Sequence, residues 1–168
     1  MTSLKTRGFL SKIYSWLPLI VLFISVLNEF DLNCFNLKYF SFNFAFVLIF
    51  LFTLKDFKNF DYFLVFIAGL INDTVVGLPL GISSFAYILI CISTSYFRNI
   101  TIRPNPIKDW FYFLFIISLI NSISYSILTL FFSFNLILVS YLINTFFTFL
   151  FYIFFVSFFK YYLRGLND

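Results

Sequence analysis

The sequence predicts an all-α fold: a polytopic membrane helix bundle of six transmembrane helices, with amino and carboxyl termini on the cytoplasmic side. Three observations carry that expectation. Of 168 residues, 62% are hydrophobic and only 11% charged, with a mean hydropathy of +1.00; this is more apolar surface than a water-soluble domain of that length can bury. The charges stand in short clusters between uncharged runs of membrane-crossing length. The basic residues occupy alternate connections, as they do when short Lys- and Arg-rich loops stay in the cytoplasm.

The elements follow from the charges in chain order. A bilayer core takes about 20 mainly apolar residues per helix, fewer where flanking side chains snorkel. The run between Lys12 and Glu29 gives a first span at roughly 13–30, and the run between Lys38 and Lys55 a second at 39–54. The third, 62–77, begins after Asp61 and carries Asp73 within it, and the fourth, 80–97, precedes Arg98. From Trp110 to Phe159 no residue is charged, a length that suits two spans, 110–130 and 135–158, turning near Phe131–Asn135. "RNITIRPNPIKD", with Pro104 and Pro106, reads as a cytoplasmic loop.

Orientation rests on the basic residues. Lys5, Arg7 and Lys12 precede the first span, Lys55 and Lys58 follow the second, Arg98, Arg103 and Lys108 follow the fourth, and Lys160 and Arg164 follow the sixth; of the eleven, Lys38 alone falls in the other set of connections. The amino terminus is built like a signal peptide, but Leu27-Asn28-Glu29-Phe30 offers no small-x-small cleavage site, so it is expected to stay as an anchor. The whole of 1–168 reads as one transmembrane domain. Because the basic residues are scattered between apolar runs, the net charge of +4 points to topology and a lipid bilayer, not to nucleic acid.

One stretch stands apart, "GLINDTVVGLPLG" from Gly69 to Gly81. An unpaired charge at mid-membrane costs roughly 2.5 to 3.5 kcal/mol on insertion scales, so an intramembrane aspartate is a candidate functional residue. Counting about 1.5 Å per residue from Tyr62, Asp73 lies about 17 Å into the span. Gly69, Asp73 and Gly77 are spaced i, i+4, i+8 on one helix face, flanked by Ala68, Asn72 and Val76. Small residues on one stripe admit a close neighbour, so this face should pack on protein, with Asp73 pointing inward. Gly77 suits a helix C-terminus and Pro79 the opening of the next helix, making Gly77–Gly81 a tight turn between the third and fourth spans.

Partners for the carboxyl group are expected among polar stripes of later spans: Ser84, Tyr87, Cys91 and Ser95; Ser118, Ser122, Tyr125 and Thr129; Ser140, Asn144 and Thr148. There the carboxyl group would share hydrogen bonds with hydroxyl or amide side chains, as a donor in its protonated form. Two readings of Asp73 stand side by side: a buried cap that ties the hairpin to its neighbours, or direct contact with a partner or ligand. Catalytic and metal-binding residues are expected to be absent, and no cofactor is implied. The chain has no histidine, Cys34 and Cys91 lack metal spacing, and neither paired glutamates nor a Gly-x-Ser-x-Gly occurs.

Gly69-Leu70, Asp73, Gly77 and Pro79-Leu80-Gly81 resemble the Gly-Leu-x-x-Asp-x-x-x-Gly-x-Pro-Leu-Gly signature of the MreD family of rod shape-determining membrane proteins. Many members carry a Trp and an Arg-Pro near the end of the second span, where this chain has "FLFTLKD", Phe50 to Asp56. The resemblance implies a helical arrangement similar to the substrate-capture subunits of vitamin transporters. It implies a scaffold without catalysis of its own, in the elongasome that regulates cell shape and peptidoglycan synthesis at the bacterial inner membrane. The partners implied are a single-span MreC-like protein, MreB filaments, the glycosyltransferase RodA and a class B penicillin-binding transpeptidase. The rival reading is a substrate-binding subunit of a vitamin-type transporter, with the polar stripes lining a pocket.

Overall fold

A computed structural model describes residues 16, 18–27, 43–56, 60–101, 105–133 and 138–164, with side chains in the last helix as far as 158. The amino-terminal basic cluster, the connection holding Cys34 and Lys38, Lys58, Arg103 and the last residues of the expected Phe131–Asn135 turn lie outside them. The described residues form six helices: α1 (Pro18–Leu27), α2 (Phe44–Leu54), α3 (Tyr62–Val76), α4 (Ile82–Ile100), α5 (Pro106–Phe132) and α6 (Leu138–Arg164). Each expected span therefore has its helix, with shifted ends.

Local chemistry sets most of those ends. Asn43, Asp61 and Asn105 each present a side-chain oxygen to a free amide of the first turn, on Phe46, Phe63 and Ile107 respectively. The expected loop at 98–109 is shorter than the sequence suggested, because Asn105 caps α5 and Pro106 is its first residue. A proline there gives up an amide that has no helical partner anyway, and its fixed φ suits the first turn. α5 consequently starts four residues before the expected boundary.

By length and composition α5 and α6 can each cross a bilayer. α4, with 19 residues, is about 28 Å long, and its hydroxyl-bearing residues make it less apolar. α1, α2 and α3 are shorter apolar helices.

Side-chain pairings fix the packing order. α3 and α4 form an antiparallel hairpin, α2 runs parallel to α4, and α5 and α6 run antiparallel to each other through Asn121–Thr145 and Tyr125–Tyr141. α2 lies at the centre: every residue from Ala45 to Thr53 is buried. Its sequence is apolar all round, which is the pattern of a helix with no solvent-facing side. Phe46 meets Tyr87 of α4 edge-on, Phe44 contacts Phe155, and Phe50, Phe113 and Tyr152 form a three-ring cluster with centroids 4.6 to 5.6 Å apart.

This arrangement collects the ionisable residues. Lys55, Asp56, Asp61, Arg98, Lys108 and Asp109 all lie at the end of the bundle opposite the α3–α4 turn. There Arg98 donates to the Thr53 carbonyl at the end of α2 and pairs with Asp56 at 2.7 Å. Among the described Asp, Glu, Lys and Arg side chains, Asp73 alone sits away from that end.

Candidate functional site

The α3–α4 hairpin is fastened along its length. Near the charged end the Tyr62 and Ser95 hydroxyls are 2.6 Å apart, at the middle the Ser84 hydroxyl donates to the Phe66 carbonyl, and toward the turn Asn72 donates to the Ser83 hydroxyl. Between these contacts the two backbones touch. A Cβ built on Gly69 would fall 2.6 Å from the Ser84 amide nitrogen and closer still to its Cα. The close approach expected of this glycine is therefore present, and Ser84 is what it approaches.

Gly77 and Gly81 serve the turn in another way. Space around both is open, but their φ angles, 74° and 104°, lie in the left-handed region that a side chain disfavours. Gly77 ends α3 by donating its amide to the Asp73 carbonyl, and Leu78 donates to the same oxygen at 2.9 Å. Pro79 sits within the turn, not as the first residue of α4: its carbonyl accepts from Ile82 at 3.4 Å, and α4 begins at Ile82.

Asp73 is 0% exposed. Its Oδ2 accepts from the Gly81 amide at 2.7 Å and its Oδ1 from the Ser83 amide at 2.8 Å. Gly81 has no side chain with which to cap α4, and the first four amides of any helix lack intrahelical partners. Asp73 supplies the missing cap from the preceding helix, where the positive end of the α4 dipole also favours a negative group. One residue thus closes α3 with its carbonyl and opens α4 with its carboxylate.

These partners correct the sequence-based expectation. The carboxyl group accepts from two main-chain amides and is not bound to the hydroxyl or amide side chains of later spans. Ser84 and Tyr87 are buried as expected, but Ser84 serves Phe66 and the Tyr87 ring packs on Phe46. Ser122 is exposed, because the packing face of α5 is set by Phe113, Ile117, Ile120, Asn121, Ser124 and Leu128. Its neighbours on the outward stripe satisfy themselves within the helix, Ser126 donating to the Ser122 carbonyl and Thr129 to that of Tyr125. Tyr125 is half-buried against Tyr141. The Asn144 carbonyl accepts from Thr148, whose hydroxyl in turn accepts from the Asn43 amide at the start of α2. Ser84, Tyr87, Ser122, Tyr125 and Asn144, all from the polar stripes expected to offer partners in the bundle interior, are thus spread over three helices and several separate contacts.

Sequence reasoning missed Ser83, which offers both an amide to Asp73 and a hydroxyl to Asn72. It also missed the junction of Arg98 with Thr53 and Asp56. The α4 stripe is occupied from within: Cys91 accepts from the Thr53 hydroxyl of α2 at 3.6 Å.

Comparison with family models, curated proteins and solved structures finds no match to this chain.

Among the described residues no group of three or more His, Cys, Asp or Glu side chains could hold a metal ion. Tyr62, Asn72, Asp73, Ser83, Ser84 and Ser95 make and receive the hydrogen bonds that define the hairpin's shape, whereas the buried Tyr87 hydroxyl has no partner among the described residues. What the hairpin can do chemically is hold two helix ends at a fixed separation inside an apolar surround.

Proposed function

We propose that this chain is a non-catalytic, multi-pass scaffold in a bacterial inner membrane, the MreD-like member of the complex that regulates cell shape and peptidoglycan synthesis. In this reading all six helices belong to the membrane domain and both termini are cytoplasmic. The observation that carries it is the use of Asp73. The ionisable side chain set apart from the charged end has both oxygens engaged as a helix cap, and this supports a structural use of the signature over a chemical one.

The exterior agrees with a scaffold. Large apolar side chains such as Phe115, Leu119, Leu142, Phe146 and Phe154 are exposed on α5 and α6, surface suited to lipid and to helices of partner proteins. The capture-subunit reading has less support, since α2 fills the bundle axis with Phe46, Ile49, Phe50 and Phe52 where a pocket would be needed.

The test is affinity purification of the tagged chain in mild detergent, with identification of co-purifying proteins. Recovery of a single-span MreC-like protein, with RodA or a class B transpeptidase, is the expected outcome. Co-purification with an energising ATPase instead would overturn it in favour of transport.

A further inference from the structure

α3 stands at the edge of the bundle. Among the described residues it packs chiefly on α4, and its Phe63, Phe66, Val75 and Val76 side chains face outward. Both of its ends are fixed by local chemistry: the Asp61 cap starts it at the charged end, and Gly77, in the left-handed region, stops it at the other. The 15 residues between them rise about 22 Å, against a hydrocarbon layer of about 30 Å.

α5, on the other side of α4, is built to a different length. It starts at the same charged end, where the Tyr112 hydroxyl donates to the Ser93 carbonyl and the Tyr112 ring stacks on Phe97. Counted from that contact, its 27 residues carry it about seven residues, or about 10 Å, past the level at which α4 begins. The part that rises past the α3–α4 turn is apolar, with Leu130 and Phe131 78% and 80% exposed.

Helices of unequal length share a bilayer by tilting or by thinning it locally. A tilt of the whole bundle shortens α3 and α5 alike and leaves the step between them. Lipid closing over the step would meet the non-helical backbone of the turn, where Gly77 and Leu80 are exposed. Irregular backbone facing lipid in the hydrocarbon region is costlier than several ångströms of mismatch.

We propose that the bilayer is thinned along α3. Outer-leaflet headgroups and their water dip to the α3–α4 turn, while the hydrocarbon stands about 10 Å higher beside Leu130 and Phe131, the same step in helix length. The partner of the α3 face is then the lipid itself, and the chain holds two bilayer thicknesses on its two flanks. This rests on the six-span membrane reading proposed above.

The experiment measures the depth of nitroxide labels in vesicles of dioleoyl phosphatidylethanolamine and phosphatidylglycerol, from their collision rates with oxygen and with a water-soluble nickel chelate. Labels replace exposed side chains, one at a time, in the full chain carrying Cys34→Ala. Phe63→Cys and Leu80→Cys mark the two ends of α3, Phe111→Cys and Phe131→Cys those of α5, and Leu119→Cys the middle of α5. Leu119 is expected at hydrocarbon depth and all four end labels at a water boundary. A Leu80 label at hydrocarbon depth shows lipid closing over the turn, a Phe131 label in bulk water shows α5 projecting from a uniform bilayer, and a Phe63 label at hydrocarbon depth shows the bundle displaced. Any of these overturns the proposal and leaves the membrane reading standing. Water contact at Leu119 as well removes the membrane reading itself, and the proposal with it.

Discussion

Gly69 and Ser84 touch backbone to backbone, so the α3–α4 hairpin has no room for even a methyl group at its midpoint. In a bilayer this matters more than in water, because helices there associate through close packing and interhelical hydrogen bonds, not through escape from solvent.

Gly69→Ala should therefore destabilise the folded protein by about 1 to 3 kcal/mol, the usual cost of overpacking, and Gly69→Leu should lower its membrane abundance. Gly77→Ala and Gly81→Ala meet no obstacle and should each cost only the left-handed strain, about 1 to 2 kcal/mol. Melting of the detergent-solubilised protein checks this. A Gly69→Ala variant that melts with the wild type would refute the close approach.

The Asp73 substitutions are graded by how many amides they leave bare. Asp73→Leu removes both acceptors, at about 1 to 3 kcal/mol for each buried amide left unsatisfied. Asp73→Asn keeps one acceptor oxygen and turns an NH2 group toward the other amide, so it should fall between Leu and wild type. Equal defects in the two variants, with both still abundant, would shift the balance toward a requirement for the charge in partner binding.

At the opposite end, Arg98 makes two contacts of unequal worth. The Asp56 carboxylate is 75% exposed, and exposed ion pairs contribute about 0 to 1 kcal/mol; the bond to the Thr53 carbonyl closes the end of α2 in a half-buried setting. Arg98→Ala should thus lower the melting point more than Asp56→Ala, and added salt should remove most of the Asp56 effect but only part of the Arg98 effect. Equal losses would show that the ion pair dominates.

Topology gives a further check. A reporter fused after Asp168 should be cytoplasmic and one inserted at 33–36 external. In intact cells an impermeant thiol reagent should label Cys34 and spare Cys91, which is wholly buried; denaturation should expose both. An external carboxyl terminus contradicts six spans.

The hairpin was legible in the sequence because glycine spacing and a following proline carry geometric meaning of their own. The partners of Asp73 were not, since a main-chain amide has no residue identity: Gly81 and Ser83 donate to Asp73 by position, and a search for side-chain partners passes over them. The rotation of α5 was hidden for a related reason. Ser126 and Thr129 bond to carbonyls of their own helix, so a polar stripe there need not face inward. The central place of α2 left only a faint trace, because "FAFVLIFLFTL" has no polar side that marks which face is covered.

The enclosure of α2 also dictates an order of manufacture. The rings that surround it, those of Tyr87, Phe113, Tyr152 and Phe155, all belong to helices synthesised after it. An 11-residue helix is only about 16 Å long, well short of the hydrocarbon thickness. On the proposed six-span reading, α2 would enter the bilayer poorly matched to it until α4, α5 and α6 replaced lipid with aromatic side chains. A chain stopped before α6 would lack the Tyr152 and Phe155 rings that cover α2, leaving its most apolar helix with an open side.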